Sequence, residues 1–187
     1  MNVRPRRPAD LPVLAEVLAA QQPVSGYPQS WPLPYPVESF LARDGELGAW
    51  VAEVDDAGMP RGRRVVGQVS VTTVSPSEEA DGWTRALGCS IDEIAAVSAL
   101  FVDHTITGRG VGAALLARAA VEIRAMGRRP VLDVVQETTS AVRLYERSGW
   151  RVVGQARPWW LPDDLKPVLL MVLPDDVDLP GAAGVNR

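Results

Sequence analysis

Nine residues from Ile94 to Val102 (IAAVSALFV) are apolar except for Ser98. A run of that length without alternation suits a strand buried on both faces. A short loop follows, and then Gly108-Arg109-Gly110-Val111-Gly112-Ala113. Helical spacing begins inside that segment. Val111, Leu115, Ala119, Ile123 and Met126 line one stripe, and Gly127 is a C-terminal stop. A buried strand that feeds a glycine-rich turn, which in turn opens a helix, restricts the chain to α/β folds built around a central sheet.

The turn carries chemistry as well as shape. The first turn of a helix leaves backbone N–H groups unpaired, and the helix dipole adds positive potential there. Gly110 and Gly112 present no side chain, so an anion can approach the backbone. Ala113 and Ala114 keep the entry clear, and Arg109 adds a cation. The glycines fit equally well a strand-to-helix turn that binds nothing. A P-loop requires Lys-Ser/Thr after its last glycine, and Ala113-Ala114 stand there instead. A dinucleotide fingerprint fits loosely when counted from Gly108, with Ala113 in the last place. A hairpin precedes the turn, however, where βαβ units are expected.

The remaining pattern supplies the other elements. Val3 to Arg6 reads as a strand. Asp10 can cap a helix with Leu11, Leu14, Val17 and Leu18 on its apolar face. Gln22 to Pro36 holds five prolines, with Tyr27, Trp31 and Tyr35 among them, and reads as irregular. A short helix is expected over 36–43. Residues 48–54 and 64–74 read as a hairpin joined by a long loop over 55–62. Pro76 to Ser90 is polar and reads as irregular. Strands follow over 131–135, 151–153 and 168–173, with a helix over 140–147. The expected order is β-α-α-β-β-β-α-β-α-β-β, a mixed α/β domain over residues 1–173. Residues 174–187 are expected to form a flexible tail.

Composition narrows the functions. The 187 residues carry 19 Lys and Arg against 23 Asp and Glu, a net charge of -4, so a duplex DNA binder is not expected. The arginines at 4, 6 and 7 and at 61, 63 and 64 read as solvated turns. His104 is the only histidine and Cys89 the only cysteine. That leaves no multi-histidine or multi-cysteine metal centre, and no nucleophile motif accompanies His104. No apolar run approaches the roughly 20 residues of a membrane span, and the basic start is not a convincing secretory signal. A lone cysteine suits a reducing compartment, so a cytoplasmic location is expected.

Three stretches resemble the GCN5-related N-acetyltransferase superfamily: ALFVDHTITGRGVGAALL at 99–116, SAVRLYERSGW at 140–150, and VVG at 152–154. The resemblance covers about residues 3–173. It implies the acyl-CoA N-acyltransferase fold, a single mixed and mostly antiparallel sheet with flanking helices. The family loop opens with Gln or Arg, and Thr107 departs from that pattern. His104 falls where proline is common and reads as an exposed loop residue.

The resemblance implies acetyl transfer from acetyl-CoA, as co-substrate, to an amine by direct attack, without a metal. The backbone of Leu100, Phe101 and Val102 would hold the pantetheine arm. Gly108, Arg109, Gly110, Val111, Gly112 and Ala113 would hold the pyrophosphate. Thr138 stands near the family's asparagine and would add a hydroxyl contact. Tyr145 matches the tyrosine that protonates the departing thiolate. Asp133 is a candidate base for the amine, with Glu93 as its rival. The acceptor regions correspond to 22–43 and 155–167. They offer Tyr27, Trp31, Tyr35, Trp159 and Trp160 beside Asp163 and Asp164, a set suited to an ammonium on a small molecule or peptide. Packing of a proline-rich loop fits the same aromatics. Neither nucleic acid nor membrane is an expected partner, and the resemblance allows a homodimer. A catalytically idle acyl-CoA sensor on the same fold is the alternative, and Tyr145 argues against it.

Overall fold

The protein is described by a computed structural model over residues 1–59 and 62–179. Seven strands form one mixed sheet in the order β1-β2-β3-β4-β5-β7-β6. They are β1 (Asn2–Pro5), β2 (Glu46–Asp55), β3 (Arg63–Thr72), β4 (Ile94–Val102), β5 (Arg129–Val134), β6 (Arg151–Ala156) and β7 (Val168–Val172). The β4–β5 pair is parallel, while β1–β2, β2–β3, β5–β7 and β6–β7 are antiparallel. The helices are α1 (Leu11–Ser25), α2 (Val37–Leu41), α3 (Glu78–Leu87), α4 (Val111–Ala125) and α5 (Thr139–Arg147). The mixed, mostly antiparallel sheet with flanking helices agrees with the expected fold. Among the described residues no helix is long and apolar enough to cross a membrane.

The chain divides into two compact units. The first comprises Met1–Thr72 and Ser98–Ala119. In it α1 buries Leu14, Val17, Leu18 and Gln21, the spacing of one helical face. Leu14, Val17 and Leu18 join Phe40 and Leu41 of α2, Val51 of β2, and Ala99 and Phe101 of β4 in one cluster. α1 extends past the expected boundary, through Pro23 to Ser25, and Gly26 ends it in the left-handed region at φ 70°. Proline fits this last turn because its ring fixes a helical φ and only one intrahelical bond is lost. α2 is too short to hold itself. The Leu41 carbonyl accepts from Arg6 Nη1 at 2.5 Å and from Gln68 Nε2 at 3.4 Å.

Of the arginines expected in solvated turns, Arg7 and Arg63 are exposed, whereas Arg4, Arg6 and Arg64 are structural instead. Arg6 also grips Glu46 at 2.8 and 3.0 Å. Arg4 forks onto both Asp10 oxygens at 2.7 and 2.8 Å and reaches Glu53. Burial pushes the Asp10 carboxyl up, yet the Arg4 hydrogen bond, the Arg7 N–H and the two positive charges outweigh it, so the group sits below the usual carboxylate range. Asp10 therefore ties β1 to the start of α1 as an ion-pair acceptor, and its side chain caps the preceding 3-10 turn over Pro8–Asp10. Arg61 lies outside the described residues.

The second unit comprises Thr73–Val97 and the chain from Ala120 onward. It contains an α-helix that the sequence pattern did not lead us to expect. The segment 76–90, expected to be irregular, holds α3. The Ser77 hydroxyl accepts from Ala80 N at 3.2 Å, and Gly88 closes the helix at φ 63°. Ala80, Trp83 and Leu87 lie three and four residues apart and pack toward the sheet, whereas Glu78 and Asp81 are exposed in the first turn. The charged face hid a pattern that was present. Gly82 abuts Leu170 of β7, and an added Cβ would collide with Leu170 Cδ1, so a larger residue there would force that side chain to shift.

The first residues of the expected tail are tied down. Arg124 of α4 donates to the carbonyls of Val177 and Pro174 at 2.8 and 2.6 Å, and Arg129 reaches Asp175 at 2.9 Å. Residues 180–187 lie outside the described residues.

Trp83→Ala removes the ring that docks α3. It should cost about 3–5 kcal/mol of stability, measured by urea unfolding. A loss below about 1 kcal/mol would mean that α3 contributes little to this core.

Candidate active site

β4 begins as a regular strand. It pairs with β5 at Ile94, Ala95 and Ala96. At Ala99 the backbone turns to φ 45°, the one positive value at a residue other than glycine among the described residues. An L-residue there costs roughly 1–2 kcal/mol, so the surroundings must impose it. Leu100, Phe101 and Val102 follow this break. The parallel ladder with β5 spans Ile94–Ala96 and lies before them.

Asp103 ends the strand. Its N–H donates to the Val66 carbonyl of β3 at 2.7 Å. Its buried carboxylate accepts from Thr105 N at 2.8 Å, from Thr105 Oγ1 at 2.7 Å and from Arg64. Burial pushes this carboxyl up, but the Thr105 bonds and the Arg64 guanidinium outweigh it and hold it below its ordinary value. Ile106 is buried behind this turn, while His104 is exposed as expected.

The exposed loop Thr107–Gly110 then enters α4. Gly108 and Gly110 have φ values of 80° and 78°, a region that residues with a Cβ adopt only with strain. Both turns are needed to bring the chain into the helix. The Ala114 N–H bonds to the Gly110 carbonyl at 3.0 Å, so the amides before it precede every carbonyl that the helix can offer. Val111 is buried and anchors the first turn, whereas Arg109 and Ala113 are exposed. The loop thus presents unpaired amides, a helix N-terminus and a cation, the chemistry that holds a pyrophosphate.

In the second unit, Asp133 is half-buried on β5, opposite Leu170 of β7. It shares a strand face with Val131 and Val135, both in the core cluster. Tyr145 is buried on α5, with its ring 6.3 Å from that of Trp150. Thr138 stands at the N-cap position of α5, and its side chain makes no capping bond. Glu93, the rival base, accepts from Ser90 N and Oγ at 2.8 Å each. Those bonds hold its exposed carboxyl below the ordinary range, which suits a turn cap better than a proton acceptor.

The aromatic candidates separate. Tyr27 and Trp31 pack half-buried against the α1–α2 cluster, and the Tyr27 ring meets Phe40 edge-on at 5.9 Å. Gln21 and Ser25 fix the Tyr27 backbone through bonds of 2.5 and 3.1 Å. Tyr35 is more open, at 48% exposure. In the second unit, the 157–167 loop is pinned by Arg157 to Leu165 O at 2.5 Å and by Gln136 to Pro167 O at 2.6 Å. Leu161 is buried and Trp160 packs on the core, yet Trp159 is 95% exposed. Asp163 and Asp164 are exposed beside it in sequence.

Residues 14–150 match the model of the Acetyltransferase (GNAT) family. The chain belongs to this family, and it is an acetyl-CoA-dependent N-acetyltransferase. Solved structures carry the same fold. NAA60 of Arabidopsis thaliana, in complex with acetyl-CoA, is 23% identical over 91% of this chain and 97% of its own, with a TM-score of 0.66. The ribosomal-protein-S18-alanine N-acetyltransferase of Escherichia coli is 16% identical over 97% of each chain, with a TM-score of 0.60. A spermidine N-acetyltransferase chimera of Vibrio cholerae SpeG and hSSAT is 16% identical over 92% of this chain and 93% of its own, with a TM-score of 0.63. No match is found among curated protein sequences.

Asp103→Asn should lower stability by about 1–3 kcal/mol at pH 7, since it removes the charged partner of Arg64. A carboxyl lowered by folding stabilises fully above its unfolded value of about 3.9 and loses that contribution as pH falls through the folded value. The gap between wild type and variant should therefore be constant from pH 7 to about 5 and should close below about 4. Urea unfolding across that range checks this. A gap that persists at the lowest pH would assign the effect to shape and not to charge.

Proposed function

We propose that the protein transfers the acetyl group of acetyl-CoA directly to a primary amine of a small molecule or peptide. The observation that carries this reading is the Thr107–Ala113 turn. Two positive-φ glycines there aim unpaired amides of α4 outward from a buried strand that ends at a fixed carboxylate. Acetyl-CoA supplies the acetyl group as a thioester. The amides of Gly108–Ala113 and the Arg109 guanidinium bind its pyrophosphate. Leu100, Phe101 and Val102 lend backbone groups to the pantetheine arm, and a preplaced N–H there favours the thioester oxygen as it gains charge. The Thr138 hydroxyl adds a contact to the same ligand.

Tyr145 donates a proton to the departing sulfur. Its burial on α5 supports this role, because a phenol held against Trp150 keeps one orientation. Asp133 accepts the proton of the attacking amine, and its half-buried place on β5 is consistent with a carboxylate reached through a narrow opening or one water. The capped Glu93 is the weaker choice.

The acceptor candidates are Trp159 in the second unit and, in the first, Tyr27 and Trp31, whose rings are held half-buried. A tryptophan left exposed on a loop pinned at both ends has lost most of its hydrophobic gain, and a cationic partner over its face offsets that loss. The exposed Asp163 and Asp164 add charge of the right sign.

Two measurements test this reading. Tyr145→Phe should keep acetyl-CoA affinity and lower turnover by about 10²–10⁴, the span of a lost general acid. Unchanged turnover would make Tyr145 a packing residue. Trp159→Ala should raise the amine KM about two- to thirtyfold, the span of a cation–π contact of about 0.5–2 kcal/mol, and should leave the acetyl-CoA KM alone. A folded variant with unchanged amine kinetics would move the acceptor elsewhere.

A further inference from the structure

The positive φ at Ala99 has to be imposed on β4 by something outside that residue, and β3 carries what is needed. Gln68, Ser70 and Thr72 alternate along β3 and share one face, and all three are buried. Hydroxyls are costly there unless each is hydrogen-bonded, and valine would pack the strand as well. Two of the three converge on a single residue of β4, the one just before the break. Ser70 Oγ donates to the Ser98 carbonyl at 3.2 Å. Thr72 Oγ1 and Ser98 Oγ lie 3.1 Å apart.

Gly67 marks the other end of the same path. A Cβ on Gly67 would stand 2.5 Å from the Phe101 carbonyl oxygen and 3.1 Å from Val102 Cα. Only glycine lets the β4 backbone lie this close to β3 after the break. The Asp103 N–H then donates to the Val66 carbonyl at 2.7 Å. From Ser98 to Asp103, β4 is therefore held by a hydroxyl pair, a missing side chain and a backbone bond, all supplied by β3.

We propose that Ser70, with Thr72 and Gly67, is a positioning residue for the transfer reaction. It holds Ser98 so that Ala99 turns and Leu100–Val102 present their backbone to the acyl arm of the co-substrate. This rests on the reading that those three residues hold the arm. Ser70 acts through β4 and touches no reactant.

The test separates the arm from the phosphates. Wild type, Ser70→Ala, Ser70→Thr and Thr72→Val are titrated by calorimetry with acetyl-CoA and with 3′-phospho-ADP, which lacks the arm. Ser70→Ala should weaken acetyl-CoA about tenfold, leave 3′-phospho-ADP within about twofold, and raise the acetyl-CoA KM with the amine KM unchanged. Ser70→Thr, which keeps the hydroxyl, should restore most of the loss. A folded Ser70→Ala that binds acetyl-CoA as wild type does, or that weakens both ligands equally, overturns the proposal. Should Ser70→Ala not fold, Thr72→Val is judged by the same two ligands and the same outcomes. If wild type binds the two ligands equally, the arm contributes nothing, and the reading of Leu100–Val102 falls together with the proposal. If wild type prefers acetyl-CoA and neither hydroxyl variant changes that preference, the proposal alone falls.

Discussion

The Asp103 carboxylate stands where the central strand leaves the sheet, and the candidate site depends on it. The chain must stop being a strand, turn, and begin a helix within eight residues. Each of those changes strands backbone polar groups that a sheet or helix would otherwise pair. Asp103 resolves the first change. Its N–H still bonds to β3, while its side chain already gathers Thr105 and Arg64. The glycines at 108 and 110 resolve the second through backbone angles that other residues adopt only with strain. What is left over is the set of amides at the start of α4. Those amides are the part of this transition that the protein does not satisfy internally, and the proposed binding of a phosphate rests on them.

Buried charge is used in the same way elsewhere in the first unit. Arg4, Arg6 and Arg64 each bind a carboxylate or a carbonyl that an element end would leave exposed. Such contacts fix direction more than they add stability, because desolvation offsets much of the attraction. The gain is that short elements such as β1 and α2 keep one position. α2 follows the aromatic segment that carries Tyr27 and Trp31, so its anchoring also limits where those rings can go.

In the second unit the apolar cluster around Trp83 and Leu170 does this work. It takes in Leu161 and Trp160 from within the 157–167 loop and leaves Trp159 outside. A loop pinned at both ends with one exposed ring loses little further entropy when a ligand arrives.

The sequence by itself determined the strand, the glycine turn and the helix at 94–126, because their signals are local: an apolar run, missing side chains and a 3.6-residue stripe. The motif at 140–150 was legible for the same reason, and the family resemblance rested on the two together. α3 was equally local, in Ser77, the Ala80-Trp83-Leu87 spacing and Gly88, but its acidic face obscured the pattern. Other features depended on partners far along the chain, and only the tertiary structure decided them. Arg4 and Arg64 look like solvated turn residues until Asp10 and Asp103 meet them. Glu93 looks like a free base until Ser90 folds back onto it, and Tyr27 and Trp31 gain fixed positions only once the α1–α2 cluster half-buries them. The break at Ala99 left no trace in its own residue type. Alanine favours no positive φ, so the cause lies in Gly67, Ser70 and Thr72 on another strand, about thirty residues away in the chain and adjacent only once the sheet has formed.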